Sequence, residues 1–162
     1  MLFRSELLAY HGRFDLTVRA SGDARVDFHH LVEDVGIVLG TALNEALGDR
    51  RGIRRYGQRL LPMDEALVLV ALDVSGRSFL RFEVPMPQAR VGAFDTELVR
   101  EFFEAVVRTL GLTLHIRLLS GENAHHVIEA VFKGFGRALA EAAGPDPDFR
   151  DEIPSSKGVL NS

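Results

Sequence analysis

The chain has 162 residues, 46% of them apolar, and 19 Lys and Arg against 23 Asp and Glu give a net charge of −4. That is enough apolar material for one core, built as a single domain or as two small half-domains that share it. The acidic balance and a pI near 5.9 argue against nucleic acid and anionic membranes as partners; no apolar run or charged-then-apolar leader suggests a membrane span or signal peptide; and the absence of cysteine removes disulfides and thiolate metal sites and fits the cytoplasm.

Along the chain, "MLFRSELLAYHGR" leads into "FDLTVRA" (14–20), whose alternation predicts a strand, with a turn at Gly22. "LVEDVGIVLGTALNEALG" (31–48) has apolar residues at helical spacing and stops at Gly48, a suitable C′ residue. The basic stretch "DRRGIRRYGQR", Asp49 to Arg59, reads either as a solvated turn or as a place where a few arginines bind a small anion. "PMDEAL" sets Asp64 and Glu65 at a strand start, as carboxylates behind a metal ligand or as a polar strand end. "EALVLVALDVSGRSFLRFEVP" (65–85) predicts a hairpin turning at Ser75–Gly76, and "DTELVREFFEAVVRTLG" (95–111) a helix capped by Asp95 or Thr96. "GLTLHIRLL" (111–119) predicts a second strand with a turn at Gly121, followed by a helix through "VIEAVFKGFGRALAEAAG" (127–144) that stops at Gly144. In the tail "EIPSSKGVL" (152–160), hydroxyls and Lys157 could join the arginines in holding a phosphate, and "VL" could dock.

The chain repeats itself. A shift of 96 residues aligns Gly12–Gly48 with Arg108–Gly144 without a gap, and 12 of 37 positions are identical, among them Leu16/Leu112, His29/His125, His30/His126, Glu33/Glu129 and Gly40/Gly136. A duplicated half-domain follows: an α/β (α+β) protein with two β-sheet-plus-helix repeats related by a pseudo-twofold, divided at 1–85 and 86–162 within one compact domain.

Four of the six histidines lie in the two H-H-x-x-E motifs that begin at His29 and His125. At about 100° per residue, a glutamate at the fifth position lies between the two imidazoles. Adjacent histidines diverge, so each pair is expected to be split, one histidine joining the glutamate on one metal and the other reaching a second metal shared with the other repeat. Imidazole with carboxylate suits Mn, Fe, Co or Zn rather than Ca or Mg. The bland alternative is histidines that cap or pack at two helix starts. His115 alternates along its strand and reads as a core histidine; His11 is open between a packing role and a ligand contact.

These residues resemble the imidazoleglycerol-phosphate dehydratase family of histidine biosynthesis. The resemblance is carried in family order by "GRFDLTVRASGD", "HHLVEDVGIVLG", "ALGDRRGIRRYG", "PMDEAL", "DVSGR", "FDTELVREFF", "LTLH", "NAHHVIEAVFKG", "RALAEA" and "PSSKGVL". It implies a fold of the ribosomal protein S5 domain 2-like type. It also implies two manganese ions per active site, or other divalent transition metals, held by His29, His30, Glu33, His125, His126 and Glu129, and a substrate phosphate held by His11, Arg55, Arg77, Ser155 and Lys157. The family removes water from imidazole glycerol phosphate to give imidazole acetol phosphate, with the substrate imidazole as electron sink, and assembles trimers into a 24-subunit shell with active sites between subunits.

The chain departs from the family at its start. Family members carry upstream strands with a glutamate that acts in acid–base catalysis, and then "FLDHML", whose histidine is a further metal ligand. Here Phe3 falls at that histidine and Leu2 at its aspartate, and no catalytic acid–base can be assigned. The departure implies turnover lowered by roughly 10²–10⁴-fold and an uncovered apolar surface prone to association. The alternative function is a metal-binding assembly protein that retains the fold and its subunit contacts.

Overall fold

A computed structural model describes residues 2–22 and 27–160, with side chains from Ser5 onward. The helices are α1 (Leu2–Gly12), α2 (His29–Leu47), α3 (Leu98–Leu110) and α4 (Ala124–Ala143). The strands are β1 (Tyr56–Met63), β2 (Ala66–Asp73), β3 (Phe79–Glu83), the short β4 (Arg90–Val91) and β5 (Phe94–Asp95), and β6 (Thr113–Ser120). The side chains of Leu2 and Phe3, which fall where the family has an aspartate and a histidine, lie outside the described residues.

One four-stranded sheet runs in the order β1-β2-β6-β3, with β6 antiparallel to β2 and parallel to β3. It takes strands from both sides of residue 85. The alternation in β2 and β6 sends Val68, Val70, Leu72, Leu114 and Ile116 to one buried face, and this face meets α4 and α3. The helices pair as α1 with α4 and α2 with α3. Exchanging α1 for α3 and α2 for α4 maps one pair onto the other, as a pseudo-twofold requires.

Four phenylalanines fill the junction. Phe103 lies 5.3 Å from Phe102 and 5.1 Å from both Phe132 and Phe135, centroid to centroid, and all four are buried. Such ring pairs add to the area they remove from water.

Several expectations are corrected. Residues 65–85 are not a hairpin: β2 and β3 turn through Ser75–Gly76, but β6 enters between them, because a long helical crossover delivers it parallel to β3. The true hairpin is β1 with β2, turning at Asp64–Glu65. Residues 14–20 form no strand, Phe14 lying in a bend and the rest without regular structure; a ladder needs a neighbour, and among the described residues none pairs with them as β2 and β3 pair with β6. Helix α3 starts after Glu97 without a side-chain cap; Asp95 is in β5, and the Thr96 hydroxyl donates instead to Gln88 O at 2.9 Å. Gly48 ends α2 at φ 54°, whereas Gly144 ends α4 with an extended backbone. His115 points to the exposed face, 5.6 Å from the Phe79 ring, since Leu114 and Ile116 take the core side.

The two halves differ in what covers them. Residues of α4 buried beneath β1 and β2 include Val131 and Gly134. Their counterparts 96 positions earlier are Val35, half-buried, and Val38, 68% exposed. The apolar face of α2 therefore opens into a groove with Val18, Leu31 and Phe94.

Phe103→Ala is expected to cost about 3–5 kcal/mol by opening a cavity at the ring junction, read as a lower denaturant midpoint. Tyr10→Ala, at an exposed position, should stay within about 0.5 kcal/mol of the native chain; equal losses from the two would contradict this core.

Candidate metal centre and phosphate site

The first turns of α2 and α4 are built alike. Asn123 Oδ1 accepts from His125 N at 2.9 Å and His126 N at 3.4 Å, an N-cap that satisfies free helix donors. Its counterpart Asp27 accepts from His29 N at 2.9 Å. Asn123 is the N-cap of α4, whereas Asp27 stands one residue ahead of Phe28, the N-cap of α2, which makes no side-chain cap bond. The histidine rings are 6.1 Å apart at 77° in α4 and 6.0 Å apart at 86° in α2.

Around α4, the pair faces different carboxylates. His125 Nε2 lies 2.8 Å from Glu129 Oε1, while Lys133 Nζ donates to Glu129 Oε2 at 2.5 Å. Burial pushes the Glu129 carboxyl up, but Lys133 and His125 outweigh it and the net shift is downward. His126 turns to the β1–β2 hairpin, with Nδ1 2.7 Å from Glu65 Oε2 and Nε2 3.5 Å from Asp64 Oδ2. Glu65 Oε1 also accepts from Asn123 N at 2.9 Å and Glu122 N at 3.2 Å. The His126 bond, followed by the Asn123 N–H, draws the Glu65 carboxyl down to about 2. In turn Glu65 raises His126. Asp64 and Glu65 thus stand behind a histidine rather than merely ending a strand.

Around α2 the partners differ: Glu33 Oε1 accepts from Arg108 Nη2 at 3.0 Å and His29 Nε2 lies 3.9 Å from Glu101 Oε2, both partners on α3. Among the described residues no three His, Asp or Glu side chains converge as a metal cage. In each H-H-x-x-E set the glutamate is engaged by a cation, Glu33 by Arg108 and Glu129 by Lys133.

The expected phosphate residues divide. Arg55 grips Asp73 with Nε and Nη2, at 2.7 and 3.1 Å, and donates from Nη1 to Pro154 O at 2.8 Å. The bond from Asp73 raises its pKa further. Arg77 Nη2 lies 3.8 Å from the same Asp73. Ser155 follows Pro154 directly, and its Oγ accepts from Lys157 N at 3.2 Å. Arg55 and Arg77 therefore come together at Asp73, and Arg55 ties them to the tail at Pro154, the residue before Ser155. His11 does not join them: its Nδ1 accepts from Arg137 Nε on α4 at 3.2 Å, and burial and then Arg137 lower its pKa.

Sequence reasoning missed Asp73, Lys133 and Arg50. Asp73 ends an apolar strand and Lys133 continues the helical spacing of α4, so a signal existed in each. Nothing in "DRRGIRR" distinguishes Arg50 from its neighbours, yet it is the buried one, 2% exposed.

A family model described as imidazoleglycerol-phosphate dehydratase matches residues 4–139. The chain belongs to the imidazoleglycerol-phosphate dehydratase family. It is 58% identical over 154 residues to the dehydratase of Desulforamulus reducens, covering 95% of this chain and 78% of that protein, and 57% identical over 157 residues to that of Xanthobacter autotrophicus, covering 97% and 80%. The crystal structure of the dehydratase from Staphylococcus aureus superposes with a TM-score of 0.84 at 45% identity, over 89% of this chain and 81% of that one. A structure from Pyrococcus furiosus, in complex with (S)-C348, gives 0.79 at 37% identity over 98% and 84%. These family members share the duplicated half-domain fold expected from the internal repeat, and they are hydro-lyases. No helix among the described residues is long and apolar enough to cross a membrane.

The His126–Glu65 pair gives a pH prediction for the metal-free chain. Glu65 contributes above its ordinary 4.5 and loses that contribution as pH falls through about 2; His126 contributes fully below 6.5 and loses it as pH rises through its elevated value. In an NMR titration His126 should reach its midpoint above 6.5, and Glu65→Gln should lower that midpoint. The same midpoint in both chains would contradict the pairing.

Proposed function

We propose that this chain is a subunit of an imidazoleglycerol-phosphate dehydratase, converting imidazole glycerol phosphate to imidazole acetol phosphate in cytoplasmic histidine biosynthesis. The observation that carries the reading is the pair of equivalent helix-start half-sites, found on a chain of this family.

The donors suit a divalent transition metal. Imidazole nitrogens and carboxylate oxygens stand within hydrogen-bonding distance at His125–Glu129 and His126–Glu65, the ligand types that manganese and its neighbours accept. His29, His30 and Glu33 would supply one half and His125, His126 and Glu129 the other. A half-site with too few ligands is completed by a second copy, which is why we assign manganese binding to the oligomer and place the active site between subunits. When bound, manganese supplies charge stabilisation for the substrate imidazole.

The chain's own groups do the rest. With Nδ1 donating to Glu65, neutral His126 keeps the Nε2 lone pair available, the usual division of labour between a ligating histidine and its supporting carboxylate. Arg55 is held flat by Asp73, so its guanidinium is oriented before a phosphate arrives. Arg77, Ser155 and Lys157 add charge and donors beside it, and fixing the phosphate positions the far end of the substrate.

Two measurements test this. Bound Mn²⁺, followed by electron paramagnetic resonance, should fall sharply in His126→Ala; unchanged metal content would remove the ligand assignment. With Mn²⁺ and imidazole glycerol phosphate, Lys157→Ala should raise KM by about tenfold or more while kcat changes less, the signature of lost ground-state binding. If the chain yields no imidazole acetol phosphate, the metal-binding assembly role stands in place of the enzyme.

A further inference from the structure

The basic stretch 49–59 holds the chain's own tail. Gly52 N donates to Glu152 O at 2.8 Å, Arg51 Nη1 to Asp151 O at 2.5 Å, Arg55 Nη1 to Pro154 O at 2.8 Å and Arg50 Nη1 to Leu160 O at 2.8 Å. Arg50 is the only one of these arginines that is buried. It also donates to Asn44 Oδ1 at 2.8 Å, Leu110 O at 2.9 Å and, more loosely, Val74 O at 3.5 Å. Three of its four acceptors belong to the body of the fold, so the guanidinium has a fixed seat whether or not the tail is present. The fourth belongs to Leu160, itself buried. Gly76 makes room for that carbonyl: an added Cβ would lie 1.9 Å from Leu160 O.

Between Pro154 and Leu160 the chain bulges outward. Ser156, Lys157, Gly158 and Val159 are exposed, and Gly158 N donates to Ser155 O at 2.9 Å across the turn. Arg55 pins one end of this loop and Arg50 the other. The geometry points to Arg50 as a positioning residue: by holding Leu160 it presents Ser155 and Lys157 beside Arg55 and Arg77 for a phosphate group. This rests on the phosphate reading above, but the holding of the loop can be measured separately.

Lysine occurs only at 133 and 157. Lys133 is tucked into α4 against Glu129 and Met63, so a lysine-specific endoprotease acting on the native chain reports on the loop at Lys157. Two variants release the far end from opposite sides: Arg50→Gln removes the charged donor without adding a lysine, and Leu160→Asp expels the apolar anchor while leaving the three body bonds of Arg50 in place. Both are expected to speed cleavage after Lys157 by about tenfold or more, in line with the loss of one charge-assisted hydrogen bond or one buried leucine. Titration with inorganic phosphate should show affinity reduced by about the same factor in both variants. Adding Lys157→Ala to Leu160→Asp should cost almost nothing further, because the released lysine no longer contributes. Native cleavage rates together with native phosphate affinity in both variants would overturn the inference, and additive losses with Lys157→Ala would reduce Arg50 to a structural role. If the native chain binds no phosphate, the phosphate reading falls, and the protease rates alone decide whether Arg50 holds the loop.

Discussion

The burial of α4 on two sides is the constraint on which the rest of the molecule depends. One side lies on β1 and β2, another meets α1, and the residues between are almost all apolar or small. A helix placed this way cannot rotate without exposing one face, so its first turn is fixed in direction. That fixed direction is what brings His126 to Glu65 on the β1–β2 hairpin and His125 to Glu129. The chemistry at the helix start is therefore a consequence of packing further along the same helix.

The pseudo-twofold explains both the likeness and the difference between the halves. Asp27 and Asn123 accept from the main chain of equivalent first turns, and the imidazole pairs above them have nearly the same separation. Beyond that turn the environments diverge. Glu129 is enclosed with Lys133, while Glu33 is engaged by Arg108 of α3. The α2 face equivalent to the sheet-covered face of α4 is open, with Val38 exposed. An apolar helix face of this kind is a surface for association.

The basic stretch shows how poorly charge alone predicts role. All five of its arginines donate to backbone carbonyls, Arg59 to that of adjacent Gln58, and only Arg55 couples to a carboxylate in the proposed phosphate site. A guanidinium offers five donors in a fixed fork, so it can bridge separate segments as readily as it can bind an anion. Here the same arginines fold the tail back and, in doing so, bring Pro154, the residue before Ser155, to Arg55.

The duplication, helices α2, α3 and α4 with their approximate ends, the β6 strand and the two metal-type motifs were legible in the sequence, because periodicity, capping residues and internal identity are local or self-referential signals; α1 (Leu2–Gly12) was not read there. The likeness to the dehydratase family was legible for the same reason: its motifs are short and ordered. Strand order was not. The hairpin expected at 65–85 is locally sound, and only the crossover that inserts β6 between β2 and β3 breaks it. Nor could the sequence show that residues 14–20 lack a ladder, since pairing belongs to the neighbour as much as to the strand. The partners of His126, the separation of His11 from Arg55, and the choice of Arg50 as the buried arginine were decided by tertiary structure alone, because each depends on groups tens of residues apart meeting where apolar packing has excluded water.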